Sequence, residues 1–364
     1  MKKTKHKIGI ITSGGDCSGL NAAIRALTFA AINKGWEVIG IHNAVNGLLA
    51  RPMQYQPLSL LDFEIPYATM GGTMLGTSNT GNSHIQEKED GTTETLTTAQ
   101  LNKRFKEAVE MLGLTDLVVI GGDGSMEFIA PYCKYAGISM IGVPKTIDND
   151  APATDLSIGF ATARTVVMEA LDKLDTTAAS HHRVMIAEVM GREAGHLALE
   201  SGLTGYADVI LIPEIPYTYE NVLKRLQETR QNGRKHALMV VAEGTPKPDG
   251  KLCYNANGTL GGIGAYFEER LKKDGFNVRA NVLGHMQRSG SPVALDRILA
   301  STLAARAVRV IAEGKKNRFI AIHKGGVTDY SIDYALKKKN TIVNPKSELV
   351  RVARMLGVYV GEKK

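Results

Sequence analysis

The 364-residue sequence predicts an α/β protein built mainly from parallel strands. Short apolar runs alternate with segments whose apolar residues recur at helical spacing, which is the pattern of strand–helix–strand units. The apolar runs are continuous, as expected of strands that are covered on both faces. A strand–helix–strand crossover also requires that its two strands pair in parallel.

The first such unit begins the chain. Ile8–Ile11 is predicted to be a buried strand, and apolar residues follow at helical spacing from Leu20 to a C-cap at Gly35. Val38–Ile41 forms the second strand. Predicted helices cover about Leu101–Leu112 and Met126–Tyr135. Further predicted strands are Leu117–Ile120, Met140–Val143, Val184–Val189, Val209–Ile212, Leu238–Ala242, Val278–Leu283 and Phe319–Ile322.

Composition excludes several classes of protein. With 43% hydrophobic and 22% charged residues the chain is of ordinary globular type. No apolar run approaches the roughly 20 residues of a membrane span, and the basic start is followed by too short an apolar run for a signal peptide, so a cytoplasmic protein is expected. Three widely spaced cysteines predict neither a disulfide framework nor a zinc site. The net charge of +7 suits anionic small molecules, whereas a single Trp and the lack of an arginine-rich stretch argue against nucleic acid.

Two glycine-rich loops follow predicted strands and open predicted helices. They are Thr12–Asp16 (Thr-Ser-Gly-Gly-Asp) and Gly121–Ser125 (Gly-Gly-Asp-Gly-Ser). Glycine lets backbone N–H groups approach an anion, and the helix N-terminus adds partial positive charge. Either loop alone could need its glycines only for backbone conformation. Two of them at the carboxyl ends of parallel strands predict a phosphate-binding crevice. The irregular, Gly- and Thr-rich stretch 68–98 is also predicted to carry function.

An aspartate-rich segment follows the strand that ends near Val143. In an extended backbone Asp148 and Asp150 face the same way, and such close like charges favour a bound Mg²⁺. Together with Asp123, one carboxylate can hold the metal while another accepts a hydroxyl proton. An Asx-turn with helix capping is the alternative, but it explains one aspartate better than three.

The second half of the chain places cations and polar groups at strand ends. Arginine forks bind phosphate through two hydrogen bonds, and Glu and His can bind sugar hydroxyls. Any one of four arginines at predicted strand termini could be a surface ion-pair member, but together they indicate a phosphate-binding site. These are Arg183, Arg192, Arg279 and Arg288, accompanied by Met190, Gly191, Glu243 and His285.

Five motifs carry a resemblance to a known family. Thr-Ser-Gly-Gly-Asp, Gly-Gly-Asp-Gly-Ser, Lys-Thr-Ile-Asp-Asn-Asp, Met-Gly-Arg and Gly-His-Met-Gln-Arg-Ser-Gly-Ser-Pro occur in the order and spacing of bacterial-type 6-phosphofructokinases, which the chain resembles along nearly its whole length. The resemblance implies Mg²⁺-dependent phosphoryl transfer from ATP to the 1-hydroxyl of fructose 6-phosphate, a glycolytic step. It also implies two similar three-layer α/β/α lobes with the active site in the cleft between them. The donor lobe would hold residues 1–158 plus about 287–338, and the sugar-phosphate lobe about 159–286 plus 339–364.

The resemblance also assigns roles residue by residue. Asp148 is implied as the base for the 1-hydroxyl, and Asp123 and Asp150 as the Mg²⁺ residues. Thr146 and Arg192 are implied to steady the transferring phosphoryl group, and Lys145 is a further catalytic residue, with its ammonium near the donor phosphates. The implied donor site consists of Gly15, Asn79, Gly122, Asp123, Gly124 and Ser125. The implied sugar-phosphate site consists of Thr146, Asp148, Asp150, Arg183, Met190, Gly191, Arg192, Glu243, Arg279, His285 and Arg288. In the family Arg183 and Arg279 come from a neighbouring subunit, so a homodimer or homotetramer is expected.

Departures from the simple bacterial pattern bear on the donor. Those enzymes have Gly at the position of Lys145 and Arg at that of Asn79. Lysine at the first position is typical of pyrophosphate-dependent members, but these carry Asp where this chain has Gly124. Gly124 with Lys145 resembles the ATP-dependent plant and trypanosomatid branch, which favours ATP. A pyrophosphate-dependent enzyme and a non-catalytic sugar-phosphate or nucleotide sensor remain as alternatives, and the retained aspartates argue against the sensor.

Overall fold

The computed structural model describes residues 6–64, 66–78, 85–87 and 93–362. The strands in this part of the chain are β1 Lys7–Thr12, β2 Glu37–Ile41, β3 Tyr55–Pro57, β4 Ile85–Glu87, β5 Thr93–Thr95, β6 Asp116–Gly121, β7 Ser139–Thr146, β8 Ile158–Gly159, β9 Val184–Val189, β10 Val209–Leu211, β11 Ala237–Ala242, β12 Val278–Val282, β13 Arg318–His323 and β14 Gly326–Ser331. The α-helices are α1 Leu20–Ile32, α2 Asn46–Leu49, α3 Thr98–Leu112, α4 Asp123–Ala136, α5 Phe160–His181, α6 His196–Thr204, α7 Tyr219–Gln231, α8 Ile263–Lys273, α9 Ala294–Ala312, α10 Ile332–Leu336 and α11 Glu348–Met355.

The chain divides into two compact units, each made of three segments. Unit 1 consists of Met1–Thr146, Ala151–Gly159 and Arg288–Asn340, and unit 2 of Ile147–Asp150, Phe160–Gln287 and Thr341–Lys364. The aspartate segment Ile147–Asp150 belongs to unit 2, whereas the sequence-based division has it in the donor lobe. One reason is that the Thr341 N–H donates to the carbonyl of Asp150 at 2.9 Å. The assignment of a donor lobe and a sugar-phosphate lobe stays a prediction.

Unit 1 is built on a sheet with the strand order β14-β13-β7-β6-β1-β2-β3, and β8 pairs with β7. The pairings among β13, β7, β6, β1 and β2 are parallel, while β3 and β14 add antiparallel edges. One face packs against α2, α3, α4 and α10 in a common apolar core. Helices α1 and α9 pack against each other outside this core. The unit therefore has three layers.

Unit 2 repeats the plan with the parallel strand order β10-β11-β9-β12. Helices α7 and α8 form the apolar core on one face, to which Val184 and Ile186 of β9 also contribute. Helices α5 and α6 pack against each other and the strands. Because strand side chains alternate, Glu188 shares the α7–α8 face with Val184 and Ile186.

The predicted α/β class with mainly parallel sheets is confirmed. The predicted strands all form, and Val184–Val189 has the predicted bounds. The predicted C-terminal end of the first helix is wrong. Helix α1 ends at Ile32 with Asn33 as its C-cap, and Gly35 instead adopts φ 77° in the following turn. The described part of the chain contains no helix that is both long enough and apolar enough to span a membrane.

Candidate active site

The first glycine loop connects β1 to α1 and is tied to its surroundings through the backbone. The Ser13 N–H donates to the carbonyl of Ile120 on β6 at 3.0 Å, and the Gly14 N–H donates to the carbonyl of Ser78 at 3.1 Å. The Thr77 hydroxyl donates to the carbonyl of Gly14 at 2.6 Å. Gly14 has φ 83°, a conformation that favours glycine. Thr77 and Ser78 therefore stabilise the conformation of the first glycine loop.

The second glycine loop connects β6 to α4. Gly122 is the N-cap residue of α4, and no side chain caps the first backbone N–H groups of that helix. Such N–H groups with the helix dipole are suited to bind an anion. Gly124 is exposed, and no atom of the described residues lies within 4 Å of the position that a Cβ would occupy there. The buried Ser125 puts its Oγ 3.1 Å from the Cβ position of Gly14, so the two loops are neighbours.

Two cations lie on the first glycine loop. Lys145, 4% exposed at the end of β7, donates from Nζ to the carbonyl of Gly15 at 2.5 Å. Arg288 donates from Nη1 to the carbonyl of Asp16 at 3.1 Å. A Cβ on Gly15 would lie 2.6 Å from Arg288 Nη1, and one on Gly14 would lie 3.3 Å from Lys145 Nζ. Side chains at 14 and 15 would displace these cations, so the loop combines close backbone approach with positive charge.

The buried thiol of Cys17 lies in the same loop. Burial raises the pKa of Cys17 to about 12, although Lys145 and Arg288 act to lower it. The thiol donates to the carbonyl of Ile158 at 3.5 Å. Since the thiolate is the nucleophilic form, Cys17 is a packing residue rather than a nucleophile at neutral pH.

The aspartate segment follows β7, which ends at Thr146. Asp148 and Asp150 are half-buried. The intervening Asn149 has φ 52°, so the backbone is not extended as predicted. Asn tolerates this left-handed conformation better than most residues, and it breaks the two-residue alternation on which the prediction relied.

The fit of a magnesium ion can be judged from the donor groups. Among the described residues no three His, Cys, Asp or Glu side chains gather into a metal cluster. Mg²⁺ is usually bound by one or two carboxylates, with water and substrate phosphates as the other ligands. Asp123 is half-buried in the first turn of α4 and makes no ion pair or side-chain hydrogen bond to the described residues. The hard carboxylate oxygens of Asp123 therefore fit this ion, and the assignment of Asp123 and Asp150 together as its ligands stays a prediction.

In unit 2 the segments after β9 and β12 meet at the carboxyl edge of the sheet. The Met190 N–H donates to Oε1 of Gln287 at 3.1 Å. Gln287 is 1% exposed and belongs to the 3₁₀ turn Gly284–Arg288, which also presents the exposed His285. The buried Gln287 amide thus fixes Met190 relative to the turn that carries His285.

The segment after β11 joins the same edge. The Glu243 N–H donates to the carbonyl of Val189 at 2.8 Å, and the Gly244 N–H donates to the carbonyl of Gly191 at 3.0 Å. A Cβ on Gly244 would lie 1.8 Å from the carbonyl oxygen of Arg192, so only glycine fits. The structure therefore brings Met190, Gly191, Arg192 and Glu243 together.

Arg183 and Arg279 lie at the opposite, amino edge of this sheet. Arg183 precedes β9 and donates from Nε to Oδ1 of Asn277 at 3.1 Å, while Arg279 is the second residue of β12. The six residues of β9 span ~20 Å and separate Arg183 from Met190. One copy of unit 2 thus does not bring these two arginines to Met190 and His285.

Several residues without an assigned role support the predicted ones. Thr77, Ser78 and Gln287 make direct contacts to Gly14 or Met190. In the sequence, these three residues are indicated only indirectly. Thr77 and Ser78 lie in the irregular stretch 68–98, and Gln287 lies in the Gly-His-Met-Gln-Arg motif. Asn79, predicted for the donor site, lies outside the described residues.

Comparisons with known proteins show which family the chain is similar to. Residues 7–311 match the family model described as Phosphofructokinase. The chain is 42% identical over 367 residues to ATP-dependent 6-phosphofructokinase 1 of Nostoc sp. and 43% identical over 364 residues to ATP-dependent 6-phosphofructokinase of Chloroflexus aggregans, with 100% of both chains covered in each case.

Solved structures of this fold also match. Phosphofructokinase from Saccharomyces cerevisiae matches with a TM-score of 0.77 and 28% identity, over 92% of this chain and 45% of that chain. Pyrophosphate-dependent phosphofructokinase from Marinobacter aquaeolei matches with a TM-score of 0.78 and 20% identity, over 98% of this chain and 92% of that chain. The latter likeness concerns the fold alone.

Proposed function

Because the chain belongs to the phosphofructokinase family, we propose that it transfers a phosphoryl group from ATP to the 1-hydroxyl of fructose 6-phosphate. The predicted family is thereby confirmed. The observation that carries the reaction is the pair of adjacent glycine loops with the cations of Lys145 and Arg288 on the first of them. The resemblance assigns Arg288 to the sugar-phosphate site, and its contact with the first loop supports a role beside the donor phosphates as well. The uncapped N–H groups at the start of α4 and the two cations suit the phosphates of a donor. The relatives that match the whole chain are named ATP-dependent, which supports ATP as that donor.

The donor would bind in unit 1 along Gly15, Gly122, Gly124 and Ser125, with Asn79 beside them. The open side of Gly124 supports a nucleotide rather than pyrophosphate, because a nucleotide needs room for its α-phosphate there. Lys145 would remain beside the first loop and pair with a donor phosphate.

Phosphoryl transfer needs positioning, charge neutralisation and removal of one proton. Asp148 would take the proton of the 1-hydroxyl as general base. Thr146 and Arg192 would hold the transferring group, where a cation stabilises the charge that develops on its oxygens. Asp123 and Asp150 would hold Mg²⁺, which when bound neutralises charge on the donor phosphates. The reaction itself would take place in the cytoplasm.

The sugar phosphate would bind at the carboxyl edge of unit 2 to Met190, Gly191, Glu243 and His285. Arg183 and Arg279 would complete the phosphate site of a second copy, so the enzyme would be a homo-oligomer. Support comes from their position at the amino edge of the sheet, ~20 Å of strand away from Met190. Their guanidinium groups can each bind phosphate through charge-assisted hydrogen bonds.

A coupled assay with fructose 6-phosphate, Mg²⁺ and either ATP or pyrophosphate tests the reaction. ATP should support turnover and pyrophosphate little, and the reverse preference would contradict the proposed donor. Subunit mixing tests the shared site. Arg183→Ala and Asp148→Asn proteins should each be impaired, and mixtures should regain activity because hybrids contain one intact site. No regain, with subunit exchange demonstrated, would count against a shared site.

A further inference from the structure

A carboxylate on helix α8 lies beside the outer edge of strand β12. We propose that Glu268 is a positioning residue that holds β12 and the guanidinium of Arg279 in the geometry needed to bind the sugar phosphate. This inference rests on the sugar-phosphate role proposed above for Arg279, and it adds a residue that touches no substrate.

In the part of the chain that the structure describes, strand β12 is the last strand of its sheet and pairs with β9 alone. An edge strand leaves half of its backbone groups without a partner strand. The N–H of Ala280 is such a group, and it donates to Oε2 of Glu268 at 2.6 Å. The carboxylate therefore takes the place of a missing strand at the residue that follows Arg279.

The other oxygen of Glu268 faces cations. Arg279 Nη1 lies 4.0 Å from Oε1 of Glu268, and Lys272 donates a hydrogen bond to the same oxygen. Burial raises the pKa of Glu268, but the hydrogen bonds from Lys272 and the Ala280 N–H, with the charge of Arg279, keep it below its ordinary value. The carboxylate is thus ionised at neutral pH and attracts the guanidinium.

Arg279 keeps donors for a ligand in this arrangement. Among the described residues its hydrogen bond is from Nη1 to the carbonyl of Val278 at 2.8 Å, and its side chain is 48% exposed. A guanidinium carries five N–H groups, so the remaining ones are free to bind a phosphate. Glu268 therefore restricts the side chain of Arg279 while leaving guanidinium N–H groups available for a phosphate.

Helix α8 is itself fixed to the sheet. Glu188 of β9, 2% exposed, accepts the Gly262 N–H on Oε1 at 2.7 Å and the Gly264 N–H on Oε2 at 2.8 Å. These groups start α8, where negative charge is favourable. Two carboxylates thus tie one helix to two strands, and Glu268 has a defined place relative to Arg279.

Holding a long side chain in its binding geometry lowers the entropy lost when ligand binds. Glu268→Ala should raise KM for fructose 6-phosphate about 2- to 13-fold, while kcat and KM for ATP stay essentially unchanged. Glu268→Gln keeps an oxygen for the Ala280 N–H but loses the charge, so its rise in KM should be smaller. A general loss of structure would instead lower kcat and change the KM values for both fructose 6-phosphate and ATP.

Glu269→Ala is the matched control. Glu269 is the next residue of α8, is 72% exposed and pairs with Lys273 at 2.7 Å. It should leave both KM values unchanged. Arg279→Ala and the Glu268→Ala/Arg279→Ala double variant complete a cycle in which the double variant should be no worse than Arg279→Ala alone. Size-exclusion chromatography of each variant checks that the assembly persists.

Three outcomes would overturn the inference. In the first, Glu268→Ala and Glu268→Gln behave like Glu269→Ala. In the second, the effects of Glu268→Ala and Arg279→Ala multiply, so that Glu268 acts independently of Arg279. In the third, Arg279→Ala itself leaves KM for fructose 6-phosphate unchanged, and then the proposed role of Arg279 fails as well. If Glu268→Ala does not fold, Glu268→Gln serves as the test variant, and an unchanged KM for fructose 6-phosphate in Glu268→Gln would overturn the inference.

Discussion

Replacing Gly124 with Asp tests how the second glycine loop selects the donor. Gly124 is the second residue of α4, and a new side chain meets no described atom within 4 Å of its Cβ. Asp in the first turn of a helix is stabilising by about 0.3–1 kcal/mol, and loss of glycine removes a backbone entropy cost. We therefore expect Gly124→Asp to fold with an unchanged or slightly raised Tm.

The effect on ATP should be large because the new charge would meet the nucleotide. An α-phosphate over the open side of Gly124 would approach the carboxylate to roughly 5 Å, where two unit charges repel by about 3 kcal/mol at an effective dielectric constant of 20. That energy corresponds to roughly a 100-fold loss in kcat/KM for ATP. Gly124→Asn has nearly the same shape without the charge and should lose much less.

The assay is a coupled measurement of kcat/KM at saturating fructose 6-phosphate and Mg²⁺, with ATP or pyrophosphate as donor. Residual pyrophosphate activity should change less than ATP activity in Gly124→Asp, because pyrophosphate lacks the α-phosphate and nucleoside. The reasoning is refuted if Gly124→Asp uses ATP within about threefold of wild type. Equal losses in the Asp and Asn variants would also contradict it, since size rather than charge would then dominate.

Three further predictions follow from the same structure. Asp148→Asn should lower kcat by about 10²–10⁴-fold while fructose 6-phosphate still binds, and near-normal kcat in the folded variant would remove Asp148 as the base. Gly15→Ala should displace the guanidinium of Arg288, 2.6 Å from the new Cβ, so kcat/KM for ATP should fall about tenfold with Tm nearly unchanged; an equal loss in an Arg288→Ala background would disprove the link. Burial raises the pKa of Asp329, but hydrogen bonds from Arg306 and Arg318 hold that pKa below its ordinary value. Asp329→Asn should therefore destabilise the protein by about 1–3 kcal/mol above pH ~4, with the difference from wild type fading as pH falls through the lowered pKa, and a pH-independent difference in thermal unfolding would contradict this.

The predictable parts of the fold are those that depend on local pattern. Strand β9 is a continuous apolar run buried on both faces, and its bounds match the prediction. Strand β14 has the sequence Gly-Val-Thr-Asp-Tyr-Ser and is partly exposed along its length, so no apolar run marks it. Its existence depends on pairing with β13. Edge strands of this kind are decided by a neighbour rather than by their own residues.

The site divides in the same way. Both glycine loops are local features, because glycine between a strand and a helix is recognisable along the chain. The sequence places Arg183 and Arg279 only at strand ends, and the register of β12 against β9, with Val278 opposite Val184, decides which edge they occupy. The left-handed φ of Asn149 also depends on the surrounding fold. Contacts between residues far apart in sequence therefore determine the sheet edge on which the arginines lie and the backbone conformation of Asn149, which the motifs alone do not predict.

The division of the chain into interleaved segments has a consequence for biosynthesis. The chain passes between the units five times, after Thr146, Asp150, Gly159, Gln287 and Asn340. Strand β10 receives its last partner from Tyr359, whose carbonyl accepts the Ile210 N–H at 2.9 Å. During synthesis, unit 1 can therefore be completed only after Arg288–Asn340 has emerged, and unit 2 only after Thr341–Lys364 has followed. Until then β10 lacks this backbone partner, and an unpaired strand edge of this kind is a site at which incomplete chains can aggregate.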